Sequence, residues 1–129
     1  MPNDQLRAYQ QTQQANLSGR DLEAMAFTRA ALKLEDAKKL TDNPAEYGKA
    51  LRFNHLLWTI IQADIVEPEN KLPPEIKANI MSLSIFVDKQ TAKALRSRDA
   101  ADLESLININ KNLAAGLRND PGPGVPEED

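Results

Sequence analysis

Ala50-Leu-Arg-Phe-Asn-His-Leu-Leu-Trp-Thr-Ile-Ile61, running on to Val66, is the stretch whose reading decides the fold. Wound at about 100° per residue, Leu51, Phe53, Leu56, Leu57, Trp58, Ile60, Ile61 and Ile65 cover more than half of its circumference. Arg52, His55, Thr59 and Gln62 share the remaining arc. A surface helix usually shows a narrower apolar stripe. The stretch therefore reads as a central helix with several neighbours, in an all-α domain.

Working outward, Thr41-Asp-Asn-Pro-Ala-Glu46 starts that helix, with Asn43 as N-cap, Pro44 in the first helical position and Glu46 in the third. Upstream, residues 21–40 read as a partly exposed helix with two apolar groups. Leu22, Met25, Ala26 and Leu32 form one, and Phe27, Ala31 and Leu34 the other. Ser18, three residues before Asp21, resembles a capping box. Residues 4–14 are Gln-rich, with only Leu6, Ala8 and Tyr9 as anchors, and predict one loosely docked helix. Downstream, Glu67-Pro-Glu-Asn70 breaks the central helix, since proline disfavours helical geometry in the residue before it.

Leu72-Pro-Pro-Glu75 opens the next helix, expected to run to about Leu95. Ile76, Ile80, Leu83 and Val87 form its main seam, flanked by Phe86, and Ala78, Met81, Ile85 and Ala92 a weaker strip opposite. A last helix begins near Asp99 or Ala100 and buries Leu103, Leu106, Ile107, Leu113, Ala114 and Leu117, with Gly116 as its terminator. No period-2 alternation calls for a strand. The expectation is a small single-domain helical bundle of four to five helices over residues 1–118, with a disordered acidic tail at 119–129.

Composition narrows the function. A chain of 129 residues with 41% hydrophobic and 27% charged residues can bury a core without staples. Its formal net charge of -3 weighs against a nucleic-acid binder. The absence of cysteine removes disulfides, thiol catalysis and thiolate metal sites. Met1-Pro-Asn-Asp-Gln-Leu-Arg7 has no apolar signal region, and the longest apolar run, Leu56 to Ile61, is far too short for a membrane span. A cytoplasmic location without membrane insertion is expected.

Catalysis has little to work with. The one histidine, His55, shares the polar arc of the central helix with no adjacent nucleophile. The acidic pairs Glu67/Glu69 and Glu127/Glu128 do not converge on a cation, and no Gly-rich phosphate loop occurs. The chain reads as non-enzymatic and cofactor-free. Three amides interrupt apolar arcs: Asn54, Asn79 and Asn110. Each either ties helices in register or lines a groove and pairs with a partner's backbone. The strip of Ala78, Met81 and Ile85 either packs on the first long helix or takes an amphipathic helix from another protein. The candidate partner-binding set is accordingly Ala78, Met81 and Ile85, with Arg52, Asn54 and His55 as polar members. Phe53, Trp58, Phe86 and Val87 are assigned to the core.

Three segments in order carry a resemblance. They are Ala50-Leu-Arg-Phe-Asn-His-Leu-Leu-Trp58, the run from Asn70 through Leu72-Pro-Pro to Ile85-Phe-Val-Asp88, and Leu106-Ile-Asn-Ile-Asn-Lys-Asn-Leu-Ala-Ala-Gly-Leu117. Together they resemble the FlaF family of flagellar biosynthesis regulators. Tyr9 and Gly19-Arg-Asp-Leu-Glu23 fit the same order. The resemblance implies a small cytoplasmic protein needed for flagellin production and filament assembly, with flagellin as partner and the regulator FlbT as a second one. Two activities suit it: an export chaperone or adaptor that binds flagellin, or a post-transcriptional regulator acting on flagellin mRNA, alone or through FlbT. RNA binding would require a basic surface, and only Lys49, Arg52 and His55 hint at one.

Overall fold

The structure, a computed structural model, describes residues 19–119. The helix expected at residues 4–14, the cap at Ser18 and the tail from residue 120 onward lie outside them. Among the described residues are four α-helices and one 3-10 turn, and no strand. They are α1 (Gly19–Ala37), α2 (Pro44–Ile65), α3 (Pro74–Ser97), the turn Ala100–Leu103 and α4 (Glu104–Asn119).

Each boundary has a local cause. The α1 helix ends three residues earlier than expected because its chain tightens into i→i+3 bonds, from Lys38 N to Glu35 O (3.2 Å) and from Leu40 N to Ala37 O (2.9 Å). Asn43 caps α2 as expected, its Oδ1 accepting from Glu46 N at 3.3 Å, with Pro44 in the first turn. Pro74 likewise opens α3. That helix stops where Arg98 turns left-handed (φ 50°) and its N–H returns to Ala94 O at 3.0 Å. Asp99 then caps the 3-10 turn through Ala101 N at 2.9 Å. Gly116 is not a terminator, because α4 continues through it to Asn119, a residue expected in the tail.

The helices run up-down-up-down. Phe27 meets Trp58 edge-on at 5.3 Å, Lys33 lies 5.1 Å over the Phe53 ring, and Glu23 bonds to Asp64, which sets α1 antiparallel to α2. Tyr47 donates its hydroxyl to Ala94 O at 2.9 Å and His55 faces Asp88 at 3.3 Å, so α3 returns antiparallel to α2. Glu104 pairs with Lys38, and Arg118 donates to Thr28 Oγ1 at 2.9 Å, which lays α4 along α1. The face α1 turns inward is Ala24, Phe27, Ala30, Ala31, Leu34 and Ala37, all buried. Four alanines on that face let α4 approach closely, and this is the most extensive helix pair in the domain.

Two sequence expectations change. The central helix is not covered on most sides, since Leu56 is 59% and Ile60 57% exposed. The neighbours of α2 are α1, α3 and, across the core, α4, all on one side. Phe86, assigned to the core, is 42% exposed, since α3 and α4 barely touch along the side of α3 that it shares with Asn79 and Leu83. Trp58 and Val87 are fully buried as expected, and Phe53 is half-buried.

Candidate functional site

The site follows from how α3 and α4 meet. Their connection is tied down at one end by Gln90 Nε2 to Asp102 O (2.8 Å), Ser97 Oγ to Asp102 Oδ2 (2.6 Å) and Lys93 beside Asp102 Oδ1 (3.6 Å). Away from that corner α4 follows α1, while α3 follows α2, and the two helices barely touch. Between them lies a groove of about 330 Å³. One wall is Ile76, Asn79, Ile80 and Leu83 of α3, and the other is Ile109, Asn112, Leu113 and Gly116 of α4, with Leu117 at the end. Both walls follow the same i, i+3, i+4, i+7 helical stripe. Each carries an asparagine in its second place and no charge anywhere.

Gly116 belongs to the groove rather than to a turn. A glycine inside a helix costs roughly 1 kcal/mol relative to alanine, so it calls for a reason. A Cβ placed there would meet nothing within 4 Å. It is the missing side chain that leaves the α4 wall low enough for a helix backbone to come close. Asn79 and Asn112 are exposed at the groove, and their amides are available to groups entering it.

The residues singled out from sequence fall in three places. Ala78, Met81 and Ile85 stay on the surface, with Ile85 57% exposed, but on the edge of α3 away from the groove. They form an open apolar strip and do not pack on α1. Arg52 and His55 are exposed and line a shallower hollow of about 200 Å³ with Asp88, Thr91, Ala92 and Leu95. Asn54 has to be removed from the partner-facing set. It is fully buried, and its Oδ1 accepts from Asn110 Nδ2 at 2.6 Å, while Asn110 Oδ1 accepts from Trp58 Nε1 at 3.0 Å. This relay ties α2 to α4 through the core. Of the three amides in apolar arcs, Asn54 and Asn110 set register, and Asn79 lines the groove.

Reasoning from sequence missed the groove because it assigned the whole seam of Ile76, Ile80, Leu83 and Val87 to the core. Only Ile80 and Val87 are buried there, and Ile76 and Leu83 are half-open. The shared I-x-x-N stripe at Ile76/Asn79 and Ile109/Asn112 was the available signal.

The electrostatics of the described residues offer one perturbed carboxyl. Burial raises the Glu23 pKa from 4.5 to about 7, assisted by the charge of Asp64 and by a hydrogen bond to it, with Arg20 opposing. The pair joins the start of α1 to the end of α2. No group of three or more metal-ligating side chains occurs among the described residues, and no helix there is long and apolar enough to cross a membrane.

Comparison with known proteins gives a family. The family described as Flagellar protein FlaF matches residues 5–117 of the 129. Neither a curated protein nor a solved structure matches the chain significantly.

Proposed function

As the chain belongs to the FlaF family of flagellar proteins, we propose that it is a non-enzymatic cytoplasmic export chaperone or adaptor that holds a terminal helix of flagellin. The observation that carries this reading is the uncharged groove between α3 and α4, open along its length and walled by two aliphatic stripes. Export needs flagellin unfolded or partly folded, and its terminal helices then expose the apolar faces that they bury in the filament. A groove of this form takes an amphipathic helix by three or four aliphatic side chains, each worth roughly 1.5–3 kcal/mol when buried. Against the several kcal/mol lost to association, the net affinity is of order micromolar. That is strong enough to shield the helix and weak enough to hand it over.

The lysines near the start of α2 give little support to direct mRNA binding. Lys38 pairs with Glu35 and Glu104, Lys49 pairs with Glu46, and Lys33 sits over Phe53. Co-purification of the tagged protein from an RNase-treated lysate separates the two activities. A stoichiometric complex with flagellin that is lost when flagellin's terminal helices are deleted is the expected result. Recovery of flagellin mRNA without flagellin, abolished by RNase, would replace the chaperone with a regulator of translation.

A further inference from the structure

We propose that the outer edge of α3, together with the hollow it shares with α2, docks an amphipathic helix with acidic flanks from another protein. This edge of α3 faces away from the groove, and the inference does not rest on what the groove holds.

The first argument is spacing. Ala78, Met81, Ile85, Asp88, Ala92 and Leu95 follow one another in alternating steps of three and four. That is the a and d spacing of a coiled-coil seam, and covering one takes a second helix laid along it. All six are exposed, Ile85 at 57% and Leu95 at 41%. From Ala78 to Leu95 the seam is about 26 Å long at 1.5 Å per residue. The domain already has the face of α3 that it needs, in the buried Ile80, Ser84, Val87, Thr91 and Ala94. The seam lies beside that face, and no helix among the described residues covers it. A contiguous apolar strip left open in this way marks an interaction surface.

The second argument is charge. Arg52 and His55 of α2 stand on one side of the seam, around the hollow of about 200 Å³ whose lining includes Ala92 and Leu95. Lys89 and Arg96 directly follow Asp88 and Leu95, which puts them on its other side. Asp88 is the one carboxylate in the seam, and His55 faces it at 3.3 Å. The side chains of Arg52, Lys89 and Arg96 make no hydrogen bond or ion pair among the described residues. Gly48 helps to place the first of them. A Cβ there would lie 2.8 Å from Arg52 Nη1, so the bare backbone lets the guanidinium lie back against α2. The chain carries a net charge of -3, so three uncompensated cations around one apolar strip are a local excess. Carboxylates at the e and g positions of a facing helix would answer them. A second copy of this chain paired through the same seam is a poor fit, because it would bring these cations against each other. A nucleic acid fits no better, since the seam offers no aromatic ring for a base to stack on.

The probe is a synthetic peptide of about three heptads, with isoleucine at a, leucine at d and glutamate at e and g. It is titrated into the full-length protein while the methyl signals are followed. We expect those of Met81, Ile85 and Leu95 to shift and those of Ile76 and Leu113 in the groove to stay. The same peptide with lysine at e and g should bind at least tenfold more weakly. Arg52→Glu with Arg96→Glu should reverse that preference, a gain that a damaged fold cannot give. Ile85→Asp, its circular dichroism melt retained, should weaken the glutamate peptide at least tenfold. Equal affinity for the two peptides, or shifts confined to the groove, would overturn the inference. So would concentration-dependent shifts at Met81 and Ile85 without peptide, which would give the seam to a second copy. Tighter binding of a mixed-sequence RNA oligonucleotide at the same residues would overturn it as well.

Discussion

Asn110 holds two helices at once, accepting from the Trp58 indole and donating to Asn54. Replacing it with leucine keeps the number and branching of side-chain heavy atoms and strands a buried indole N–H and a buried amide oxygen. Each unmatched group costs roughly 1–3 kcal/mol. Asn110→Leu should therefore lower stability by about 2–4 kcal/mol in chemical denaturation, and a loss below about 1 kcal/mol would mean the relay contributes little. Thr91 is the opposite case. It is 5% exposed and its hydroxyl has no partner, so folding desolvates it without return. Thr91→Val removes that hydroxyl and should stabilise the domain by about 1 kcal/mol, read as a rise in melting temperature; a clear fall would show that the hydroxyl has a partner. Neither assignment could be made from sequence. An amide in an apolar arc is visible there, but whether it meets another amide depends on a partner 56 positions away.

At the scale of elements, the ends of α2 and the start of α3 were legible because their causes are local: Asn43, Pro44 and Pro74 act on their own turns. The fate of the apolar faces was not. Spacing shows that Ile76, Ile80, Leu83 and Val87 share a face, but their burial depends on how far α4 stands from α3. That distance is set elsewhere, by the alanine face of α1 that draws α4 in and by the corner around Asp102. The same limitation applies to Leu56 and Ile60, which have the pattern of a surrounded helix and no neighbour on that side. The exposed strip on α3 yields a prediction at this scale. Ile85→Asp should leave the circular dichroism melt within about 2 °C of the parent, since a surface substitution is usually within ±0.5 kcal/mol. Being outside the groove, it should weaken binding of a flagellin terminal helix by less than tenfold. A tenfold or greater loss with the fold intact would bring Met81 and Ile85 into the binding surface.

For the whole molecule, one carboxyl pair makes stability depend on pH. Glu23 and Asp64 close the start of α1 onto the end of α2. The folded-state pKa of Glu23 is raised from 4.5 to about 7. Folding thus favours its protonated form, so its contribution is fully present below pH 4.5 and is lost as pH rises toward and through about 7. With the group partly exposed, solvent screening holds the change to about 1 kcal/mol. Between pH 5 and 8, roughly the window these values define, the parent should lose stability that Glu23→Gln retains. Equal slopes for the two proteins would show that the pair does not govern this range. The all-α architecture and the flagellar family were both legible in the sequence; the groove was not, because it is the gap between two helices, and the stripes that wall it read equally well as core. The most direct test of that gap is calorimetric titration of a synthetic peptide of flagellin's C-terminal helix into the parent protein and into Gly116→Trp. Gly116 lines the groove and a Cβ there meets nothing within 4 Å, so a large side chain can start from that position and obstruct the groove. The account predicts micromolar binding to the parent and at least a tenfold loss in Gly116→Trp, with its melting temperature unchanged. Equal affinity for the two proteins would contradict it.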